Sequence, residues 1–501
     1  MRKYIANVAT LLLLGSISFS GCGSDSGSEE EGTSLSTAPF LQQYARENEE
    51  NDGTGLDIAF LDGIEIPNNH DYLLFGFGSI DKYNSDNHGD DALFARISSQ
   101  DGSLKKATYV RYETSEAKND TEKYIRSAIL SYEENGEKIN KILLVGTASP
   151  DATYQTEGLL VTLLNGDGEY EWSRHYLLSQ GEGLEISEVA ADGDGTFWVV
   201  GNGSIPAKNP DGTTYWTRLG IVIHIDAKTG EILQASHLGI DDGISNYFDV
   251  TVANDHVYIS GSSEDTTVDT GINSNGFSDT VLLLELNKDA TLASATKYMQ
   301  KEKSFGERGE GIIYKDGNIY IAFETAGPVE GGIMKIDAGS TKELKTVKQL
   351  YTYYPYSYYR DFEIHGDTLY LAATNSSFYK TNLNGDLEKV SWVEGGWTES
   401  LFIDSAGNIV SLSHNGLIPR MTSFATKFSN TLATCGLNTT VADPENPSID
   451  ITTKWVAETI APTYPTVPVA LATNNAGEFV TGDASNIITQ KSLCSSEDES
   501  R

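Results

Sequence analysis

The side chains best suited to bind a ligand are aromatic, and most of them fall in one stretch near residue 355. Six tyrosines occur there, two tryptophans follow and one precedes; the set is Tyr351, Tyr353, Tyr354, Tyr356, Tyr358, Tyr359, Trp392, Trp397 and Trp216. Tyrosine and tryptophan offer large, rigid contact surfaces with a polar edge, which suits sugar faces and extended peptides. The alternative is that these rings pack inside the protein, since the alternation at 354, 356 and 358 is also typical of a strand.

A second candidate site is an acidic loop. The segment 81–91 carries Asp81, Asp86, Asp90 and Asp91, and carboxylate oxygens are ligands that calcium prefers. Their spacing does not follow the EF-hand loop, so an ordinary solvated loop is the alternative. A zinc-type site is not expected, because no CxxC occurs and the eight histidines show no pairing at metal-ligand spacing. We therefore predict no metal and no cofactor, with calcium at this loop kept as an open alternative.

The sequence gives no basis for assigning a catalytic residue. It contains neither a G-x-S-x-G nucleophile turn nor an H-E-x-x-H zinc helix. His256 and His365 both fall at short hairpin turns, where a structural or solvated histidine is the ordinary expectation. A non-enzymatic function is therefore favoured.

The start of the chain resembles the export signal of a bacterial lipoprotein. Arg2 and Lys3 precede an apolar run that is too short to span a bilayer, and small residues then lead to Cys22. In that family the cysteine becomes the acylated first residue of the mature protein. Lipidation of Cys22 explains the odd count of three cysteines in an exported chain and leaves Cys435 and Cys494 to form one disulfide. An ordinary cleaved signal is the alternative.

The charge balance restricts the partners. The chain has 35 basic and 72 acidic residues, and its formal net charge is −37. Nucleic acid and anionic lipid both attract basic surfaces, so we expect no nucleic-acid partner and membrane contact through the lipid anchor only. With 39% hydrophobic residues and no second apolar run of membrane-spanning length, the rest of the chain predicts a globular body.

The globular body is built from a repeat. An apolar run that usually ends in glycine or another small residue recurs at Tyr72–Gly76, Ile142–Gly146, Phe197–Gly201, Val257–Gly261, Ile319–Phe323, Leu369–Ala373, Ile409–Ser413 and Phe479–Gly482. Most of these runs follow an earlier apolar run and a polar turn, which is typical of a hairpin. A second hairpin follows each of the first six runs, so the repeating unit is four antiparallel strands.

Four-stranded units repeated seven or eight times predict an all-β fold, a β-propeller, because ring closure leaves only short strand edges exposed. Residues 55–494 hold the ring, with eight blades expected and seven as the alternative; a row of β-sandwich domains is the other architecture. The remaining segments are a signal peptide at 1–21, an acidic Gly/Ser tether at 22–35, a short helical cap or stalk at 36–54 and a disordered tail at 495–501. A segment near Ser36–Gln42 is a candidate to complete the last blade.

Two turns connect this repeat to a known group of proteins. Ile225–Leu233 is similar to the repeat signature of PQQ-like propellers, and Asn165–Trp172 is a looser match. The chain thus resembles bacterial secreted propellers of the SBBP and PQQ-like type over nearly its whole mature length. The resemblance implies the fold more than a function, because the group includes assembly scaffolds, surface proteins and some quinoprotein enzymes. Those enzymes carry adjacent cysteines near the cofactor, and this chain has no such pair, so PQQ binding is not expected.

The longest connections belong to one face of the predicted ring. They join second to third strands and one blade to the next, and binding usually resides on long loops of a rigid scaffold. We predict a lipid-anchored binding or scaffolding module for an envelope protein or a glycan, at the outer membrane because Gly23 rather than Asp follows the lipidated cysteine. The alternative is a carbohydrate-active enzyme with acids in the central funnel, which inward carboxyls of raised pKa would favour.

Overall fold

The computed structural model describes residues 38–46, 58–79, 90–114, 121–149, 157–179, 182–208, 214–238, 245–265, 278–301, 307–325, 330–351, 359–374, 376–392, 397–415, 422–429, 432, 448–460, 467–473 and 477–494. All of them belong to the compact unit Leu35–Arg501. The predicted signal peptide, the tether, the tail and the lipidation site Cys22 lie outside the described residues.

Most described residues are in β-strands, which build seven four-stranded blades within the described part of the chain. Strand β1 (Phe40–Arg46) precedes the first blade. Blade 1 contains β2 (Ile58–Glu65), β3 (Tyr72–Gly78), β4 (Asp91–Ile97) and β5 (Leu104–Thr114). Blade 2 contains β6 (Thr121–Glu134), β7 (Glu137–Ser149), β8 (Gly158–Asn165) and β9 (Tyr170–Leu178). Blade 3 contains β10 (Glu182–Ala191), β11 (Thr196–Lys208), β12 (Thr214–Asp226) and β13 (Ile232–His237).

The other four blades follow the same order. Blade 4 contains β14 (Ser245–Ala253), β15 (His256–Asp265), β16 (Ser278–Asn287) and β17 (Leu292–Gln300). Blade 5 contains β18 (Glu307–Lys315), β19 (Asn318–Thr325), β20 (Glu330–Asp337) and β21 (Leu344–Tyr351). Blade 6 contains β22 (Tyr359–His365), β23 (Thr368–Ala373), β24 (Ser377–Asn382) and β25 (Leu387–Trp392). Blade 7 contains β26 (Trp397–Ile403), β27 (Ile409–Asn415) and β28 (Thr422–Phe428), and β1 is its fourth strand.

The blades close into a ring, which confirms the predicted β-propeller. The first strand of each blade packs against the first strand of the next, and β26 of blade 7 packs against β2 of blade 1. Buried apolar clusters fill the space between each pair of adjacent blades. Tyrosine hydroxyls add bonds between neighbours: Tyr298 of blade 4 donates to the Lys342 carbonyl of blade 5 at 2.9 Å.

The N-terminal strand completes the last blade. β1 pairs with β28 in the register Phe40↔Lys427, so the ends of the ring meet within one sheet. The prediction of a helical cap over 36–54 is wrong for Phe40–Arg46, which is a strand. Its polar and apolar residues alternate irregularly, and pairing with β28 decides the outcome over local helix propensity.

A C-terminal belt runs around the outside of the ring. Its strands are β29 (Ile449–Asp450), β30 (Trp455–Thr459), β31 (Val467–Pro468), β32 (Leu471–Thr473), β33 (Gly477–Asp483) and β34 (Ile488–Ser492), with a 3₁₀ turn at Thr452–Lys454. In chain order they pair with the outer strands of blades 5, 4, 3, 2, 1 and 7, so the belt passes the blades in reverse order. The belt covers sheet edges that would otherwise expose unpaired backbone groups.

The belt also explains the miscounted blade. Seven of the eight repeated runs are the second strands of blades, whereas Phe479–Gly482 lies in β33 and pairs with β5 as a fifth strand. The expected count of eight is therefore corrected to seven, the alternative that the sequence left open. A short apolar run marks a strand but does not reveal which neighbour it pairs with.

The recurrent glycine has a structural reason in the first four blades. Each first strand contains a β-bulge, and the glycine of the second strand lies opposite it. A Cβ on Gly76 would lie 1.9 Å from the Ala59 carbonyl oxygen, and one on Gly146 would lie 1.8 Å from that of Lys123. Only glycine permits this approach of the two backbones.

The two faces of the ring differ in their connections. Hairpin turns within blades, many with glycine at positive φ such as Gly136, Gly195 and Gly230, lie on one face, here the tight-turn face. The opposite, loop-rich face carries the connections between second and third strands and between blades. Among the described residues, no helix is both long and apolar enough to cross a membrane.

Candidate functional site

The predicted aromatic patch is only partly within the described residues. Tyr353, Tyr354, Tyr356 and Tyr358 lie outside them, and for Tyr351, Trp392 and Trp216 the strand position alone is described. Tyr351 ends β21, Trp392 ends β25 and Trp397 starts β26, so these three belong to adjacent blades at the loop-rich face. Trp397 is 54% exposed. Trp216 lies in blade 3, away from blades 6 and 7, and the patch stays a prediction.

Tyr359 packs inside the protein, which is the alternative that the sequence left open for these rings. Its side chain is 2% exposed, and its ring meets that of Tyr379 edge-on at 5.9 Å. Gly331 of blade 5 makes room for it, because a Cβ there would lie 2.2 Å from the Tyr359 ring. Tyr359 thus fills the interface between blades 5 and 6 and is removed from the candidate ligand contacts.

The acidic loop is also partly described. Asp81 and Asp86 lie outside the described residues. Asp91 is buried, and the Arg111 guanidinium donates to both of its carboxylate oxygens at 2.6 and 2.8 Å, which neutralises the charge that calcium would need. Asp90 accepts a hydrogen bond from Ser79 Oγ at 2.7 Å. No group of three or more metal-ligating side chains occurs in the part of the chain that the structure describes.

The predicted disulfide is not tested by the described residues. Cys494 follows β34, and its Sγ accepts a hydrogen bond from the Leu41 N–H at 3.2 Å. Cys435 lies outside the described residues, so its pairing with Cys494 stays a prediction.

The structure adds a site on the ring axis, here called the central cavity. It has a volume of about 700 Å³, and the first strands of all seven blades contribute to its lining. Isoleucines form much of its wall towards the tight-turn face, at positions 64, 129, 313, 364 and 403. At its mouth Glu65 contacts the His70 ring at 2.5 Å and accepts a hydrogen bond from Ser405 Oγ at 2.8 Å.

The floor of the cavity is set by the bulges of the first strands. Each bulge falls at the same place, and the residue that follows it belongs to one level of the axis, here called the bulge layer: Asp62, Arg126, Glu188, Asp249, Gly311, Asp361 and Ser400. A bulge leaves backbone groups unpaired and redirects a side chain, so a polar residue beside it has a partner at hand.

The bulge-layer carboxylates accept those backbone hydrogen bonds. Asp62 accepts the Gly63 N–H at 2.8 Å, and Glu188 accepts the Val189 N–H at 2.9 Å. Each of these bonds links a side chain to the residue next in sequence. The carboxylates therefore satisfy donors that the bulges release.

Two of the carboxylates also bond to the next blade. Asp249 accepts the Val250 N–H on its own strand and the Ile312 N–H of blade 5, both at 2.6 Å. Asp361 of blade 6 accepts the Leu401 N–H of blade 7 at 3.1 Å. These acids stabilise the ring by bridging adjacent first strands.

Arg126 is the cation of the bulge layer. Its Nε donates to Glu188 Oε2 at 2.7 Å and its Nη1 donates to the Ile125 carbonyl at 3.1 Å. The nearby Glu188, Asp62 and Asp361 raise the pKa of the guanidinium further, so it stays charged at any ordinary pH. One cation thus faces Asp62, Glu188, Asp249, Asp361 and also Glu363, which lines the same cavity.

The cavity carboxyls have raised pKa values, and Arg126 only partly opposes the shift for Asp62, Asp249 and Asp361. Burial is the largest cause, and it raises the pKa of Asp62 and Asp249 to about 7, of Asp361 to about 6 and of Glu363 to about 8. Burial also raises the pKa of Glu188 well above its ordinary value, although Arg126 opposes the shift. Several of these carboxyls therefore hold protons near neutral pH.

A second carboxyl pair lies on the loop-rich side of the bulge layer. Glu310, the bulged residue of β18, lies beside Glu324 of β19. Burial raises the pKa of Glu310 as well, and two adjacent carboxyls do not both ionise readily, so the pair tends to hold a proton near neutral pH. Burial and then Glu310 raise the pKa of Glu324 to about 9, and Arg308 and Arg360 oppose this rise.

Sequence reasoning missed the bulge layer, although a pattern for it exists. The first strands read Phe60-Leu-Asp62, Tyr124-Ile-Arg126, Tyr247-Phe-Asp249 and Tyr359-Arg-Asp361, an aromatic residue two positions before a charge. Alignment of these segments would have assigned Tyr359 to packing, since Tyr124 and Tyr247 are buried at the same position. Inward carboxyls of raised pKa, the feature that would favour the enzyme alternative, line the cavity, and two of them also bridge the backbones of adjacent blades.

Comparison with known proteins gives no family. No family model matches the sequence, and no curated protein matches it. Solved structures that align with this chain include BamB from Moraxella catarrhalis, at 11% identity and a TM-score of 0.34 over 77% of this chain and 98% of that one. The WD40 β-propeller domain of Doa1 aligns at 10% identity and a TM-score of 0.40, over 76% of this chain and 96% of its own. Sqt1 from Chaetomium thermophilum, solved with the N-terminus of ribosomal protein L10, aligns at 11% identity and a TM-score of 0.38, over 76% and 100%. The propeller assignment rests on the strand pairing of this chain itself.

Proposed function

We propose that this chain is a lipid-anchored β-propeller of the bacterial cell envelope that binds a protein or glycan ligand and performs no chemistry of its own. The observation that carries the proposal is the way the cavity carboxylates are used. Asp249 accepts backbone hydrogen bonds from two blades and Asp361 accepts one from the next blade, so both are already engaged where a nucleophile or general base must be free. The cavity above them has the volume of a ligand site.

The envelope location is supported by the sequence. Arg2 and Lys3, the short apolar run and Cys22 follow the lipoprotein layout, and Gly23 at the next position supports the outer membrane. The resemblance to SBBP and PQQ-like propellers is part of this proposal and implies export.

The loop-rich face is the surface proposed for the larger ligand. Tyr351, Trp392 and Trp397 end or begin strands of three adjacent blades there, and the exposed Trp397 ring offers a contact surface. Rigid strands hold the ends of these loops, which limits the entropy lost on binding.

The test uses the full chain expressed in a bacterium with its leader. Cys22→Ala should move the protein from the membrane fraction to the soluble export fraction, since the acyl chain is the proposed attachment. An envelope pull-down and a glycan panel should then give a ligand whose affinity Trp397→Ala lowers by about 2 kcal/mol. The control is Leu233→Ala, because Leu233 is 49% exposed and lies beside a turn on the other face. An unlipidated native terminus, or equal losses in both variants, would contradict the proposal.

A carbohydrate-active enzyme is the second candidate, and the raised pKa values of Asp62, Asp249, Asp361 and Glu363 favour it. Two-carboxylate glycosidases need carboxyl groups separated by roughly 5 to 10 Å. Neither Glu310 nor Glu324 lines the central cavity, so that pair is not placed to act on a glycan bound there. Release of reducing sugar from a glycan panel by the wild-type chain, abolished in Glu363→Gln, would establish the enzyme and refute the binding module.

A further inference from the structure

The central cavity has more acid than its own cation can balance. The charged and titratable groups that face it are Asp62 and Glu65 on β2, His70 in the following turn, Arg126 on β6, Glu188 on β10, Asp249 on β14, and Asp361, Glu363 and His365 on β22. The wall residues from blades 5 and 7 are Ile312, Ile313, Leu401, Phe402, Ile403 and Ser405, none of which titrates. Asp62 is buried and the other acids are half-buried; acids withdrawn from water are usually paired with cations, so this excess is unusual.

One polar side chain in the bulge layer has an unused hydrogen-bonding group. Ser400 is fully buried, and its Oγ lies near enough to the Asp62 carboxyl to favour the ionised form, although no hydrogen bond of good geometry joins the two groups. A buried hydroxyl without a partner costs about 1–3 kcal/mol, so it marks a place where a donor or water belongs. It occupies blade 7, between the carboxyls of blades 1 and 6.

We infer that the central cavity binds an organic cation, an ammonium or guanidinium group on an apolar stem. The inference rests on the proposed binding function and names the ligand chemistry of one site. The cationic head bonds to carboxylates that line the cavity, among them Glu363, and the stem packs against isoleucines such as Ile64 and Ile129. A small amine and a lysine or arginine side chain of a partner share this chemistry.

Binding is coupled to proton release. A cation that enters the floor stabilises the ionised carboxylates, so the protons held by Asp62, Asp249 or Glu363 pass to solvent. Each bound cation releases up to one proton from every carboxyl that it neutralises. Affinity therefore rises with pH between about 6 and 8, the range in which these carboxyls titrate.

The test is calorimetric titration of the full mature chain with two probes. Hexylammonium represents a small amine, and a capped Leu-Lys-Leu peptide represents a protein side chain; hexanol is the uncharged control. At least one cationic probe should bind at least about fivefold more tightly at pH 8 than at pH 6, with proton release visible as a dependence of the heat on buffer. The preferred probe identifies the source of the ligand.

Two variants locate the site. Glu363→Gln should weaken binding at least about fivefold, because it removes one carboxylate and keeps the shape; Glu478→Gln on β33, an exposed acid of the belt, is the matched control and should bind like wild type. Ile129→Lys should block the probe with a tethered ammonium, and Ile129 is 36% exposed, so the change is compatible with folding. Binding of hexanol as tight as hexylammonium, pH-independent binding, no binding, or equal effects of Glu363→Gln and Glu478→Gln would overturn the inference.

These outcomes separate from failure of the proposed function. If an envelope ligand is recovered and its affinity is unchanged in Glu363→Gln while neither probe binds, the inference fails and the binding module stands. If the probes bind as described but the chain is not lipidated and recovers no envelope ligand, the proposed function fails and the cavity site stands.

Discussion

Two aspartates in different regions accept the same kind of hydrogen bond, yet their pKa values are shifted in opposite directions. Asp62 in the bulge layer accepts the Gly63 N–H at 2.8 Å, and Asp483 in the belt accepts the Ser485 N–H at 2.8 Å. The pKa of Asp62 is raised to about 7 by burial, whereas the hydrogen bonds from Ser485 lower the pKa of Asp483. The bond to nitrogen stabilises both carboxylates, but only the belt leaves its carboxylate in water.

The difference shows what each region contributes to the fold. On the axis, carboxyls bridge backbone groups of adjacent blades. Desolvation disfavours their ionised form, while the hydrogen bonds from backbone N–H groups favour it. On the belt, side chains are mostly solvated and the backbone pairs carry the attachment. Substitutions that remove the acceptor oxygen should therefore be costly on the axis, and substitutions on the belt should be mild except where the belt buries a side chain.

The largest expected loss of stability comes from the exception on the belt, a residue whose side chain is buried. Trp455 on β30 is 3% exposed and packs edge-on against Phe323 of blade 5 at 5.1 Å between ring centroids. Trp455→Ala should lower the free energy of unfolding by about 4 kcal/mol, as expected when a buried large ring is removed. Urea denaturation measures it, and Val456→Ala, at a neighbouring residue 37% exposed, should cost under about 0.5 kcal/mol. Similar losses in the two variants would show that the belt is not held at Trp455.

The next effect tests the bridging role of the axis. Asp249→Ala removes the acceptor of both the Val250 and the Ile312 N–H groups. Each unsatisfied buried donor costs about 1–3 kcal/mol, and relief of repulsion with Asp361 returns part of this, so we expect a net loss of about 3 kcal/mol. Asp289→Ala is the control, since Asp289 accepts the Thr291 N–H at 3.0 Å in an exposed turn of the same blade. Denaturation curves that coincide for the two variants would contradict the bridging role.

The carboxyls on the ring axis should make the protein less stable as the pH rises. The folded-state pKa of Asp62, Asp249, Asp361 and Glu363 lies above the ordinary value, so the folded chain binds more protons than the unfolded chain between about pH 4 and 8. Their contribution is complete below the unfolded pKa and is lost as pH rises through 6 to 8. We expect the free energy of unfolding to be at least about 2 kcal/mol higher at pH 5.5 than at pH 8, because each raised group loses about 1.4 kcal/mol per pH unit up to its folded pKa.

Urea melts at a series of pH values measure this difference. Glu363→Gln should reduce it, because one of the titrating groups is then absent. A chain that is more stable at pH 8 than at pH 5.5 would show that the axis carboxyls are ionised throughout.

The fold was largely predictable because its information is local. Runs such as Phe197–Gly201 are apolar throughout, end in the glycine that a bulge requires and follow a turn, so strand and hairpin can be read from neighbouring residues. The fate of Phe40–Arg46 and Phe479–Gly482 could not be read in this way. Both pair with strands hundreds of residues away, and a short segment contains nothing that specifies a distant partner.

The candidate site was less predictable for the same reason. Asp62, Asp249 and Asp361 lie far apart in sequence, and their shared level on the axis follows from bulges that only the paired strands reveal. Tyr359 looked like part of an aromatic surface because it adjoins Tyr358, yet the bulge register turns it into the core. A repeat alignment centred on the first strands, instead of the second, contains the missing information.

The smallest expected change in stability is at Asp483, the solvated aspartate of the comparison. Asp483→Asn keeps an oxygen that accepts the Ser485 N–H and removes a charge that water already solvates. Because the pKa of Asp483 is lowered in the folded chain, ionised Asp483 stabilises the fold above its unfolded pKa, and this contribution is lost as pH falls through the lower folded value. We expect Asp483→Asn to cost about 0.5 kcal/mol or less at pH 7 and nothing measurable at pH 3, in urea melts at the two pH values.

Asp62→Asn should show the opposite trend, with a gain in stability at pH 8 relative to wild type that disappears at pH 5, since its raised pKa makes the ionised form the costly one. If both aspartates responded to pH in the same direction, burial would not be what separates the axis from the belt.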